Sequence, residues 1–142
     1  MSDIKINFEK FKIQTPEREI LIDITNQISN VVRSANISNG FCRVFIPHTT
    51  AGITINENAD PSVCNDIISY LNKLIPEGGS LGYRFRHGEG NSDSHIKSSI
   101  IGVSLTILIH DGRLMLGTWQ GLYFAEFDGP RTRKVYVQIE GH

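Results

Sequence analysis

An α+β fold, built mainly of antiparallel strands as a β-sandwich with two or three helices, is predicted by three features of the sequence. Short apolar segments alternate with polar residues, brief turns join several of them, and the helical apolar spacing appears in only two long stretches. A doubly wound parallel sheet needs a helix between successive strands, which this pattern does not supply. The 142 residues make one domain, 1–142, a size that hides about two-thirds of the unfolded chain's surface. With 39% hydrophobic and 20% charged residues and a formal charge of -1, the chain has no general attraction for nucleic acid or anionic lipid. Neither partner is expected. Residues 1–12 carry no signal-peptide core and no apolar run reaches membrane length, so a cytoplasmic location is expected.

Ile4, Ile6, Phe8, Phe11 and Ile13 alternate with polar residues except for a slip at Glu9-Lys10, which predicts a strand with a bulge or short break. Residues 18–24 read as extended and end at Thr25, a cap for a helix whose apolar face is Ile28, Val31, Val32 and Ala35. Residues 41–46 form a strand rich in β-favouring side chains, which Pro47 ends just before His48. Residues 51–56 resume the alternation. Asp60 and Pro61 then open the surest helix, with Val63, Cys64, Ile67, Ile68, Leu71 and Leu74 at helical spacing. Residues 76–90 read as a long loop, residues 95–101 as a short helix, and residues 103–109 as a strand. Asp111-Gly112 is a two-residue hairpin signal, followed by strands at 113–117, 122–127 and 134–140. Cys42 and Cys64 lack a CxxC partner and read as reduced, packed thiols.

Chemistry concentrates in residues 87–97, where His87, Glu89, Asp93, His95 and Lys97 share one glycine-containing segment. Zinc prefers neutral imidazole, and three protein ligands plus water leave one position open for reaction. His48, His87 and His95 supply such a set, with Glu89 or Asp93 as fourth ligand, neighbour or proton carrier. The plain alternative is three separate, solvated loop histidines. Glu57 lies between two asparagines at a strand exit, either exposed or facing a cleft as a general acid or base. The N-cap role already accounts for Asp60. Lys97, Arg84 and Arg86 suit a phosphate or diphosphate, although exposed arginines commonly do no more than keep a surface wet. Trp119 reads as packed at a core edge or a subunit contact.

The blocks His48-Thr49-Thr50-Ala51, residues 55–61, residues 88–97, Asp111-Gly112-Arg113 and residues 116–120, continuing to Arg131, resemble the YjbQ-like family, commonly labelled secondary thiamine-phosphate synthase. The resemblance spans nearly the whole chain with the blocks in order. It implies a homotrimer with the polar cluster near a subunit boundary, and a divalent metal ion, zinc by ligand type, on His48, His87 and His95. It also implies a small phosphorylated substrate: a thiazole phosphate joined to a pyrimidine diphosphate with release of diphosphate, Lys97 steadying the leaving group. Where many relatives carry another histidine or paired acids two positions before His95, this chain has Asp93. Because histidine ligands suit zinc-bound water better than magnesium diphosphate, a zinc-dependent hydrolase using Glu57 or Glu89 as base is the competing expectation. A trimeric, non-catalytic metal-binding protein is the third.

Overall fold

The computed structural model describes residues 3–142 and has the expected α+β architecture. In chain order the elements are β1 (Lys5–Gln14), β2 (Ile20–Asp23), α1 (Thr25–Ala35), β3 (Gly40–Phe45), β4 (Ala51–Glu57), α2 (Pro61–Leu74), β5 (Gly79–Ser80), β6 (Tyr83–Arg84), α3 (Ser92–Ile101), β7 (Ser104–His110), β8 (Arg113–Leu114), β9 (Gln120–Glu126) and β10 (Thr132–Gly141). Antiparallel pairing builds a five-stranded sheet in the order β1-β10-β3-β7-β8 and a three-stranded sheet in the order β2-β9-β4. The small β5–β6 hairpin stands apart from both.

The main core fills the space between the two sheets and α1. Cys42, Val44, Val135, Val137 and Ile139 of the larger sheet meet Ile28, Val31 and Val32 of α1 and Ile53, Leu122 and Phe124 of the smaller sheet. The other face of β9 is covered as well: Tyr123 and Ala125 pack with Leu21 and Phe127 against Cys64, Ile67, Ile68 and Leu71 of α2. A strand covered on both faces carries a continuous apolar run, as residues 122–125 do. Asp60 caps α2 by accepting the Ser62 amide at 2.9 Å, with Pro61 in the first turn. Cys42 and Cys64 are free thiols, and burial pushes Cys42 up to about 12.

Four local expectations change. The register of β1 against β10 is unbroken from Lys5 to Gln14, so there is no bulge. The slip in the pattern is a change of face: Ile6 (65% exposed) and Phe8 (54%) point outward, whereas Phe11 and Ile13 pack against the main core. Thr25 is the first residue of α1 rather than its cap. Its amide and hydroxyl both donate to Asp23 Oδ1, and its hydroxyl oxygen accepts the Leu122 amide at 2.9 Å, which ties α1 to β9. The strand expected at 113–117 shortens to β8, and the loop at 76–90 contains the β5–β6 hairpin.

A buried ion pair joins the sheets. Glu126 of β9 accepts Arg133 Nε of β10 at 2.8 Å and pairs with Arg133 Nη2, while the Thr15 hydroxyl (2.7 Å) and the Asp128 amide (3.0 Å) satisfy the rest of the carboxylate. Arg133 Nη2 also donates to Thr50 Oγ1 at 2.9 Å. The connecting turn runs so close that a Cβ on Gly129 would lie 2.3 Å from the Glu17 carbonyl oxygen. Burial alone raises the Glu126 pKa, but the hydrogen bonds from Arg133, Thr15 and the Asp128 amide outweigh it and hold the carboxyl below its ordinary value. Its contribution to stability is therefore complete above about pH 4.5 and is lost as pH falls through the lower folded value. Glu126→Gln is expected to cost about 3–5 kcal/mol, because Arg133 keeps a buried charge without its partner. Urea unfolding at pH 7 measures that loss, and the acid limb of the stability curve should flatten in the variant.

Candidate functional site

Helix α3 positions the site, and it is amphipathic in an inverted sense. Its buried residues are Asp93, Ser94, Lys97 and Ser98, all polar. Each finds a partner. The Ser94 hydroxyl donates to the Phe127 carbonyl and the Ser98 hydroxyl to the Ala51 carbonyl, both at 2.6 Å. Lys97 is fully buried, at 0% exposure, and its Nζ donates to Asn72 Oδ1 (2.6 Å), Glu19 Oε1 (3.0 Å) and Asp93 Oδ2 (3.2 Å). Arg18 closes the cluster with Nη2 at 3.3 Å from both Asp93 oxygens. At its other end α3 abuts β4: the Ile53 amide donates to the Gly102 carbonyl, and a Cβ on Gly52 would sit 2.4 Å from that oxygen.

With its polar face inward, α3 turns His95 outward between two adjoining grooves. One, of about 490 Å³, is lined by Tyr83, Phe85, Arg86, His87, Ser92, His95 and Ile96. Here the His87 and His95 rings meet edge to face, with centroids 5.4 Å apart at 89°. The Arg86 guanidinium lies 5.7 Å from the Tyr83 ring centroid. The second groove, of about 400 Å³, contains His48, Thr49, His95, Ser98 and Ser99. His48 accepts the Lys134 amide at Nε2, 2.9 Å away. Burial, then the nearby charges of Arg133, Lys134 and Arg131, lower the His48 pKa, and Glu126 opposes them only in part.

The chain thus brings His87 and His95 together and places His48 across the second groove. Glu89 stays beside His87, with Oε2 at 3.8 Å from Nε2, and both side chains are largely exposed. Glu57 lies at the far end of β4, six residues past Ala51 and about 20 Å along the strand, opposite Gln120 in the register. It lines neither groove. Lys97, expected as an anion-binding group, has its three donors committed to the protein and presents no charge to either groove. Asp93 is likewise buried and ion-paired with Lys97 and Arg18. Arg18, Glu19 and Asn72 were not singled out from the sequence. The spacing of Asp93 and Lys97, four residues apart on a helix, was the available sign of the pair.

A zinc ion takes lone pairs from three or four protein ligands. Among the described residues no group of three or more His, Cys, Asp or Glu side chains is arranged to hold one, and the lone pair of His48 Nε2 is already occupied by a backbone amide. The three-histidine set therefore does not fit within one protomer.

An antiparallel α+β sandwich with a histidine-lined site beside a polar-faced helix defines the class of the protein. The chain belongs to the YjbQ-like UPF0047 family, whose profile matches residues 9–142. It is 55% identical over 138 residues to a UPF0047 protein of Methanocaldococcus jannaschii, covering 97% of this chain and 96% of the relative. It is 46% identical to YugU of Bacillus subtilis over 92% of this chain and 96% of that one. A crystal structure of an uncharacterised family member from Clostridium acetobutylicum superimposes with a TM-score of 0.88 at 51% identity, over 92% of this chain and 98% of that one. A YbjQ-like protein of Sulfolobus solfataricus gives 0.92 at 29% identity, over 99% and 100% of the two chains.

Two outcomes follow from the geometry. Lys97→Met is expected to destabilise the chain by about 1.5–3 kcal/mol, because buried Asp93 and Glu19 lose the lysine and keep only Arg18 as cation, with part of the loss recovered in the Asp93→Asn/Lys97→Met double variant. Denaturant midpoints measure both. For His48, NMR titration should give a midpoint below the ordinary 6.5. Because the unfolded chain takes up the proton first, the His48 contribution to stability is complete above about pH 6.5 and is lost as pH falls through the folded midpoint.

Proposed function

We propose that the protein is an enzyme acting on a small phosphorylated substrate held in the two grooves that share His95. One observation carries this reading: two imidazoles with no hydrogen-bonded partner among the described residues lie edge to face beside Arg86 in one groove. A guanidinium binds phosphoryl oxygens in a fork geometry, and each neutral imidazole offers one N–H donor and one lone pair to a substrate. Tyr83 and Phe85 add aromatic surface against which the uncharged part of a substrate would rest.

Formation of thiamine phosphate with loss of diphosphate, the reaction that the sequence resemblance implies, is the first candidate. Hydrolysis of a phosphoester or ester is the second reading, favoured by the burial of Lys97, which leaves Arg86 as the cation lining the histidine-pair groove. His87 or His95 would then take the proton of the attacking water, with Glu89 beside His87 as a further acceptor. A divalent ion, zinc by ligand type, would rest on His87 and His95 only with further ligands from outside the protomer, and no step here depends on it.

The assembly proposed for this function is a homotrimer. Ile6 and Phe8 of β1, Phe45 of β3 and Leu108 of β7 project from the outer face of the larger sheet, where Tyr136 contacts both phenyl rings at centroid distances of 5.7 and 6.4 Å. Large apolar residues grouped on one open face mark an association surface. Among the described residues no helix is long and apolar enough to cross a membrane.

Turnover on thiazole phosphate plus pyrimidine diphosphate, and on a phosphoester panel in ¹⁸O water, separates the two chemistries, because only hydrolysis incorporates solvent oxygen. His87→Ala and His95→Ala should each lower turnover by about 100-fold or more, with the thermal midpoint unchanged. A fully active double variant would refute the proposal. Light scattering should register a trimer that Phe8→Asp/Phe45→Asp converts to monomer.

A further inference from the structure

We infer that His48 works as a fixed Nδ1–H donor to a phosphoryl oxygen in the second groove, and not as a metal ligand. The inference builds on the phosphorylated-substrate reading and adds a defined contact to it. A neutral imidazole has one N–H and one lone pair. The Lys134 amide hydrogen meets Nε2 of His48 at an N–N distance of 2.9 Å, so the lone pair is there and the ring hydrogen is on Nδ1. A metal can use neither nitrogen in this tautomer, since one lone pair is taken and the other nitrogen has none.

The backbone makes the arrangement rigid. Lys134 follows Arg133, whose side chain is pinned by Glu126 and Thr50, and its position in β10 is paired with Lys12 of β1. His48 itself lies between β3 and β4, two residues before Thr50. Among the described residues Nδ1 has no hydrogen-bonded partner, and neither does the Thr49 hydroxyl next to it. The other two hydroxyls of the groove are already donating, Ser98 to the Ala51 carbonyl and Ser99 to the His95 carbonyl. His48 and Thr49, together with the His95 ring shared with the first groove, are therefore the side-chain donors left for a ligand here, and an acceptor-only oxygen is the chemical group they match. Across His95, Arg86 offers the complementary charge.

Long-range ¹H–¹⁵N correlation on the full chain labelled with ¹⁵N-histidine reads the tautomer directly, with His48→Asn providing the assignment. The expected spectrum above pH 7 has a lone-pair shift at His48 Nε2 and a protonated Nδ1. Added zinc should leave both unchanged, and inorganic phosphate should move Nδ1. Phosphate affinity should fall about tenfold in His48→Ala and persist in His48→Asn, whose side-chain amide restores an N–H near the Nδ1 position. An Nε2–H tautomer, or zinc coordination shifts at His48, would overturn the inference. So would phosphate binding that moves His87 and His95 but not His48, an outcome that leaves the proposed function standing. If phosphate moves none of the three rings, both readings fail.

Discussion

The arrangement of the site depends on one buried cation. Lys97 lies inside the protein where an apolar residue would ordinarily sit, and it is tolerated there because Glu19, Asn72 and Asp93 take all three of its hydrogens. Those partners come from the residue before β2, from α2 and from α3 itself, so the ammonium ties together the three elements that also share the apolar cluster of Leu21, Ile68, Leu71 and Ile101. Leucine in its place would pack against the same neighbours without choosing among helix rotations. Three directed hydrogen bonds admit one rotation, and that rotation turns His95 outward.

A second ionic clamp does for His48 what the first does for His95. Glu126 and Arg133 tie β9 of the small sheet to β10 of the large one, and Thr15 and Thr50 complete their hydrogen bonding. The next residue along β10 donates its amide to His48. Displacement of the two sheets would lengthen the ion pair and swing that amide away together, so the coupling of sheet packing to ring orientation is geometric. Both clamps are buried charges that solvent does not screen, which makes them far stiffer than surface pairs such as Arg131 with Asp128.

Much of the fold was legible from the sequence, and the exceptions share a cause. Periodicity located α1, α2 and the central strands because their apolar residues face the core. It misplaced the start of α3 because that helix is buried through Asp93, Ser94, Lys97 and Ser98, side chains that a pattern rule assigns to solvent. It took the change of face in β1 for a bulge because it assumes that apolar means inward, whereas Ile6 and Phe8 face out. The histidines were visible as residues, and two of them do meet. The role of His48 was not visible, since a single hydrogen bond to a main-chain amide 86 residues away sets its tautomer, and no side-chain pattern encodes that contact.

The pairing of β4 fixes Glu57 away from the histidine grooves of its own protomer. A strand rises about 3.3 Å per residue, so a rigid β4 cannot bring Glu57 to the histidine end within the same chain. Its place opposite Gln120 is fixed by the pairing of β4 with β9, which is buried on both faces and therefore cannot slip. The strand order rules out rearrangement inside the protomer, and the open outer face of the large sheet offers apolar area for docking. Glu89, 3.8 Å from His87, is therefore the carboxylate that the protomer itself sets beside the imidazole pair.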